Sequence, residues 1–324
     1  MISLKDELKD VKYAAIAGHV NPDGDAVGSS LGLWLYIRDN FPEIDCSLYL
    51  GEYPDVLQSM PGIENVQHRV DEKKPCDIFF VLDCAEEKRL GEAACLLKIA
   101  KRTICIDHHV SNVGICDVNY VDPLASSTSE LICRILNSDR IGREAATALY
   151  MGIVHDTGVF RHSCTSPDTM ITAAMLMKKG INASAIINKT YYDNTYLQNQ
   201  ILGRALLESA RMMDGRVIYS VLRKKTLEFY GVEKKDLGGI IAFLMGTVGV
   251  EVAIFMYELS PQCYKVSLRS RELVDVSEIA SYFGGGGHVR AAGCTMQGSY
   301  HDVLNNLSRH IDAQLKAAEE SEEE

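Results

Sequence analysis

Between residue 13 and about residue 185, short apolar runs alternate with longer stretches in which apolar residues recur every three or four positions. YAAIAGH, CSLYL, DIFFVLDC and RTICIDHH read as strands, whereas AVGSSLGLWLYIRDN, RLGEAACLLKIAK, SSTSELICRILNS and REAATALYMGIVH carry helical spacing. That rhythm predicts an α/β fold with a doubly wound, mainly parallel sheet covered by helices. The stretch INASAIINKTYYDNTYLQNQILGRALLESA is helical in character and predicts a linker helix over 186–210. Beyond it, RVIYSVL, EVAIFMYEL and YKVSLRS read as strands, with helices around 234–246, 275–283 and 299–317. The pattern thus divides the chain into a first domain at 1–185, the linker helix, and a second, smaller α/β domain at 211–324.

A length of 324 residues suits about two domains. With 47% hydrophobic and 24% charged residues, the chain has the balance of a globular enzyme. The opening MISLKDELKD holds no uninterrupted apolar stretch, so no targeting signal is visible and a cytoplasmic location is expected. GGIIAFLMGTVGVEVAIFMYEL comes nearest to a membrane span, but Glu251 and several glycines interrupt it; a buried helix followed by a core strand is expected. The ten cysteines form no CxxC pair and mostly lie in apolar runs, as reduced, buried thiols do.

The formal net charge of −11 argues against a protein that holds long nucleic acid by neutralising many phosphates. A small anionic substrate, gripped locally by metal ions or a few arginines, remains compatible with it. The tail EESEEE reads as a solvated, frayed helix end.

In an open α/β sheet, ligands collect beyond the carboxyl ends of the strands. Polar residues cluster at those places here: His19, Asp23 and Asp25 after the first strand, Asp83 after DIFFVL, and Asp107, His108 and His109 after RTICI. Asp156 follows a helical run, in HDTG. Three of these places have an ordinary explanation when taken alone, as a PDG turn, a helix cap or a helix stop, whereas the three adjacent polar groups Asp107, His108 and His109 after an apolar strand are hard to satisfy without a site. Their recurrence at the ends of buried elements points instead to one site. Carboxylates with imidazoles form an oxygen and nitrogen donor set, which suits manganese, cobalt or magnesium better than a thiolate zinc site. Six candidate ligands exceed the needs of one ion. A pair of ions about 3.5 to 4 Å apart, bridged by a shared carboxylate, is therefore expected.

HVNPDGDAVGSSLGL, VLDC, IDHHVSN and GIVHDTG resemble the four successive motifs of the DHH phosphoesterase superfamily, and GGGGHVRAAG resembles the signature of the DHH-associated substrate-binding domain. Together they span essentially the whole chain, and the nearest group is that of the nanoRNases and pAp phosphatases. The resemblance implies that His19 and Asp23 hold one ion, that Asp25, His108 and Asp156 hold the other, and that Asp83 bridges them. It implies that His109 faces the scissile phosphate and that Asp107 stands behind the ligands, orienting imidazole. His155 has no assigned role.

In the second domain, Arg269 and Arg271 lie two apart on a strand, so their guanidinium forks share a face on which a phosphate or a base could bind. For Arg271 a plain solvent-facing arginine is equally compatible, while the resemblance favours substrate contact for Arg269. Gly284 to Gly287 and His288 read as a loop whose bare N–H groups can approach an anion, with Gly285, Gly286, Gly287 and His288 as the expected contacts. Arg290 is expected to be peripheral.

The implied function is metal-dependent hydrolysis of short oligoribonucleotides to mononucleotides and of 3′-phosphoadenosine 5′-phosphate (pAp) to AMP. A hydroxide bridging two divalent ions, manganese first and magnesium or cobalt next, would attack phosphorus. Domain closure onto the distal nucleotide would select length. Three alternatives stay open: a cyclic di-AMP or pApA phosphodiesterase, a manganese-dependent pyrophosphatase, and a non-catalytic nucleotide-binding regulator. The expected partners are short RNA or small phosphorylated nucleotides, with no long nucleic acid and no membrane, and a homodimer is compatible with the sequence.

Overall fold

A computed structural model describes residues 3–71 and 74–323; the last glutamate of the acidic tail lies outside them. Two compact units divide at residue 193, Met1–Asp193 and Asn194–Glu324.

In the first unit six strands form one sheet: β1 (Tyr13–Ala17), β2 (Asp45–Tyr49), β3 (Val66–Gln67), β4 (Ile78–Leu82), β5 (Thr103–Asp107) and β6 (Val118–Val121). Their order is β3-β2-β1-β4-β5-β6, and every pairing is parallel. β1, β4 and β5 are buried at every position because each face of the sheet has its own core. Ala14, Ile16, Ile78, Phe80 and Leu82 point into one, and Ala15, Ala17, Phe79 and Val81 into the other.

The larger core contains α1 (Gly24–Asn40), α2 (Thr128–Ile135), α3 (Arg143–Asp156) and α4 (Pro167–Met177). α1 and α3 touch through their smallest residues. A Cβ on Gly28 would come within 2.7 Å of the Ala148 carbonyl and 2.8 Å of the Gly152 backbone, and one on Gly152 would lie 2.9 Å from Asp25 Oδ1. The expected helix over RLGEAACLLKIAK is replaced by short 3₁₀ turns over Glu87–Cys95 and a single turn at Leu96–Ile99. Gly91, with φ +57°, breaks the helical path.

The second unit is a mixed sheet of β7 (Ala210–Met212), β8 (Val217–Leu222), β9 (Val252–Ser260), β10 (Cys263–Ser270), β11 (Gly286–His288) and β12 (Ala291–Gln297), in the order β11-β12-β10-β9-β8-β7. β8 and β9 pair in parallel; the other neighbours are antiparallel. Helices α5 (Tyr196–Leu207) and α6 (Ile240–Met245) cover one face, α7 (Val276–Tyr282) and α8 (Tyr300–Glu323) the other. The linker expected as one helix over 186–210 is interrupted. A helical turn at Ala183–Ile187 runs into a π turn at Asn188–Tyr192, and a new helix starts where Thr195 and Gln198 form a capping box. The glycine run expected as a loop is partly an edge strand, since Gly286, Gly287 and His288 pair with β12.

Glu251 immediately precedes β9 as a buried carboxylate whose Oε1 accepts from the N–H groups of Glu272, Leu273 and Val274. No helix among the described residues is long and apolar enough to cross a membrane. The cysteines are buried or half-buried. Gly28→Ala should force α1 and α3 apart and cost about 1–3 kcal/mol; the urea-unfolding midpoint measures this, and an unchanged midpoint would contradict the close approach.

Candidate metal centre

Strand order reverses between β1 and β4, the place where an open parallel sheet splays its connections and leaves a crevice. His19 lies two residues beyond β1, Asp83 follows β4 directly, and Asp107 closes β5 with His108 and His109 after it. Asp23 caps α1, its Oδ1 accepting from the N–H groups of Asp25 and Ala26 at 3.0 and 3.1 Å. Asp156 is the last residue of α3. The fold therefore brings His19, Asp23, Asp25, Asp83, His108, His109 and Asp156 into one crevice.

Asp83 occupies its middle. Its backbone is left-handed, φ +54°, a conformation that aspartate tolerates better than most residues. Oδ2 lies 3.7 Å from His19 Nε2, while Oδ1 lies 3.7 Å from His108 Nε2, 3.5 Å from His109 Nδ1, and accepts from Thr128 Oγ1 at 3.0 Å. Burial and the carboxylates of Asp23 and Asp156 push Asp83 up to about 6, against the pull of the two histidines.

Asp25 is fully buried, with Oδ2 accepting from Thr128 N–H at 2.6 Å and Oδ1 from Ser129 N–H at 2.9 Å. Burial and repulsion from Asp83 and Asp156 nonetheless hold it well above the usual carboxylate range. His108 Nε2 sits 3.0 Å from Asp156 Oδ2. Burial opposes its charge, but that bond and the nearby Asp25 and Asp83 raise it to about 10. The Val20 carbonyl, 2.8 Å from His19 Nδ1, places the proton there and turns the Nε2 lone pair toward Asp23 and Asp83.

Three sets of donor atoms each gather within 4.8 Å: His19, Asp23 and Asp83; Asp25, His108 and Asp156; and Asp83, His108 and His109. In the third set, His109 Nδ1 is already bonded to Asp107 Oδ1 at 2.7 Å, which leaves the opposite nitrogen, Nε2, to face outward. Asp107 is fully buried and also accepts from the backbones of His108 and His109 and from Asn112 Nδ2 at 2.6 Å. No lysine or arginine pairs with Asp23, Asp25, Asp83 or Asp156 among the described residues. So many carboxylates in one low-dielectric crevice repel unless cations enter. The donor chemistry fits divalent ions that prefer oxygen and imidazole.

His155 lies against the Cα of Gly24, between Asp23 and Asp25, and its Nε2 is 3.0 Å from Thr190 Oγ1. Burial lowers its pKa, and the ring packs edge-on to Tyr191. It wedges the two aspartates' turn in place.

The residues that sequence reasoning missed are those of Ser126–Glu130. They carry a helix-start signature, Ser127 with Glu130 three positions on, and the Ser127 hydroxyl accepts from Glu130 N–H. The fully buried Glu130 carboxylate accepts from Ser126 Oγ at 2.6 Å, Thr169 Oγ1 at 2.8 Å and the Arg134 guanidinium. That network fixes the N–H groups that hold Asp25.

In the second unit Arg269 is half-buried on β10, its guanidinium donates to the Leu268 carbonyl, and burial lowers its pKa. Arg271 is spoken for: its guanidinium donates to the carbonyls of Val250 and Met245, so it anchors backbone and does not share a free face with Arg269. Gly285 and Gly287 press against β12, Gly286 has open space, and His288 is exposed. Arg290 donates to the Val274 carbonyl.

The chain is similar to known proteins along most of its length. The DHH family, N-terminal domain, matches residues 14–153, and the DHHA1 domain matches residues 214–317. The chain is 31% identical to the bifunctional oligoribonuclease and PAP phosphatase NrnA of Thermus thermophilus, over 91% of this chain and 89% of that one. It is 26% identical to the protein of the same name from Bacillus subtilis, over 86% and 87%. The crystal structure of an exopolyphosphatase-related protein from Bacteroides fragilis matches with a TM-score of 0.89 at 25% identity, covering 98% of this chain and 96% of that one.

Burial pulls Glu130 upward, but Ser126, Thr169 and Arg134 hold it below the ordinary glutamate value of 4.5. A carboxyl lowered by folding stabilises fully above its unfolded pKa, and the contribution is lost as pH falls through the folded value. Glu130→Gln should therefore cost on the order of 2 kcal/mol at pH 7, with the gap to wild type narrowing below pH 4.5. Urea unfolding as a function of pH measures it, and a gap that widens in acid would refute the assignment.

Proposed function

The chain belongs to the DHH family of phosphoester hydrolases, and on that premise we propose that it cleaves oligoribonucleotides of a few residues to mononucleotides and releases phosphate from pAp. The observation that carries this reading is the gathering of three donor sets in one crevice, two of them sharing Asp83, in a chain similar along nine-tenths of its length to a protein of that double activity.

Enzymes of the family depend on metal ions, and the donor sets supply the places. Our assignment gives His19, Asp23 and Asp83 to one ion and Asp25, His108, Asp156 and the shared Asp83 to a second, with manganese ahead of magnesium or cobalt. Bound there, two such ions would lower the pKa of water and neutralise phosphoryl oxygens.

The protein's own groups do the rest. Asp107 holds the proton of His109 on Nδ1 and raises its pKa, so the ring presents Nε2 to an ester oxygen as hydrogen-bond or proton donor. As water oxygen adds to phosphorus and the ester oxygen departs, that oxygen needs a proton. Thr128, bonded to Asp83 through its hydroxyl and to Asp25 through its N–H, keeps both carboxylates in register. Arg269, Gly286 and His288 are our choice for contacts with the remote part of the substrate, since a half-buried guanidinium with no carboxylate partner among the described residues suits a phosphate. The thiol-rich chain fits the reducing cytoplasm.

Purified protein with Mn²⁺ should turn over a diribonucleotide and pAp, and should leave pyrophosphate intact. Asp83→Ala should abolish both activities with the fold retained by circular dichroism. Turnover at the wild-type rate in that variant would defeat the reading. Asp107→Asn, which breaks the link to His109, should lower kcat about 10- to 100-fold with little change in KM; a change confined to KM would instead make Asp107 a binding residue.

A further inference from the structure

The second unit carries a cleft that neither the metal centre nor Arg269 uses. Tyr219 and Val221 point to the same side of β8, and the chain leaves that strand through Arg223 and Lys225. Arg204 reaches in from α5 and Tyr300 from the start of α8. The cavity measures about 460 Å³, and a neighbouring hollow of about 370 Å³ shares Arg223, Lys225 and Tyr300 with it. That is the size of small-ligand sites, roughly 300–1,000 Å³.

Its charge is unusual for a chain of net charge −11. Glu208, the one acid lining the larger cavity, is engaged by Arg204. Arg223 and Lys225 take part in no ion pair among the described residues. The Arg223 guanidinium lies over the Tyr300 ring, 5.1 Å from its centroid, which presets the plane of its donors. Two cations with no ion-pair partner among the described residues, sharing the neighbouring hollow with Glu258, therefore sit beside the half-buried Tyr219 ring, the cations able to meet a phosphate and the ring an aromatic face.

We propose that this cleft is a second ligand site, one that binds a free nucleoside monophosphate with its phosphate on Arg223 and Lys225 and its base against Tyr219. It is separate from the residues assigned above to substrate. Tyr264, which lines the neighbouring hollow, opposes Glu258 and Met296 at the beginning of β10, whereas Arg269 lies five residues further along the strand, opposite Ala253 and Ala291. Five residues of strand span about 17 Å.

Calorimetric titration of AMP into the full chain, with EDTA present so that no divalent ion contributes, tests the proposal. AMP should bind one to one. Arg223→Gln combined with Lys225→Gln, both at exposed positions, should weaken it at least about tenfold, and Arg269→Gln should leave it within about twofold. Inorganic phosphate should bind at least about tenfold more weakly than AMP. With Mn²⁺ restored, the double variant should hydrolyse pAp at the wild-type rate. Absence of AMP binding, equal binding by the double variant, equal affinity for phosphate, or loss of pAp hydrolysis together with AMP binding would each overturn it. Because binding is read without metal, a failure of the hydrolase reading leaves this result interpretable.

Discussion

A wholly buried carboxylate, Asp25, has both oxygens taken by consecutive backbone N–H groups, Thr128 and Ser129, more than a hundred residues away in sequence. The first turn of a helix leaves such donors unpaired and carries partial positive charge, so α2 and Asp25 satisfy each other. The contact ties the start of α1 to the start of α2. It can form only because α1 lies directly on the backbone of α3, where Gly28 and Gly152 leave no side chain between them. Once α1 is set there, Asp23 and Asp25 on one side and Asp156 at the end of α3 face the ends of β1, β4 and β5.

The site so assembled is electrostatically unfavourable by itself. Asp83 and Asp25 are pushed toward protonation by burial and by each other's neighbours, while His108 and His109 are pulled toward charge. Protons shared between the histidines and carboxylates relieve part of this, and divalent cations relieve more because each brings two charges to several oxygens. Any ion that binds the folded donor set and not the unfolded chain also stabilises the fold by mass action. The rest of the unit offsets the strain with two apolar cores and with the hydrogen-bonded network around Glu130.

How much of this is legible in the chain depends on how local the cause is. Strands buried on both faces announce themselves as apolar runs, and polar residues at their ends stand out against them; those runs are β1, β4 and β5, while β2 shows itself through its buried end, Ser47–Tyr49. β3 and β6 do not, since two or four half-buried or exposed residues at an edge carry no pattern. RLGEAAC has helical spacing, yet one left-handed glycine overrides it. The glycines at 24, 28 and 32 recur every fourth position, the spacing of one helix face, but only the packed partner α3 shows what that face is for. Asp25's partners are backbone atoms, which no side-chain pattern encodes. Arg271 illustrates the converse: its spacing from Arg269 is that of a shared face, and the carbonyls of Met245 and Val250, remote in sequence, claim it.

The glycine run divides in the same way between packing and access. Gly285 and Gly287 are required by close contact with β12, where a Cβ would strike the carbonyls of Gly293 and Ala291, and Gly287 also holds φ +149°. Gly286, between them, has no atom within 4 Å of a Cβ position, so nothing inside the unit demands glycine there. A residue free of internal constraint on an exposed edge strand leaves its bare backbone to something outside the unit. Of the four glycines, Gly286 is thus the one that neither a close contact nor a positive φ inside the unit explains.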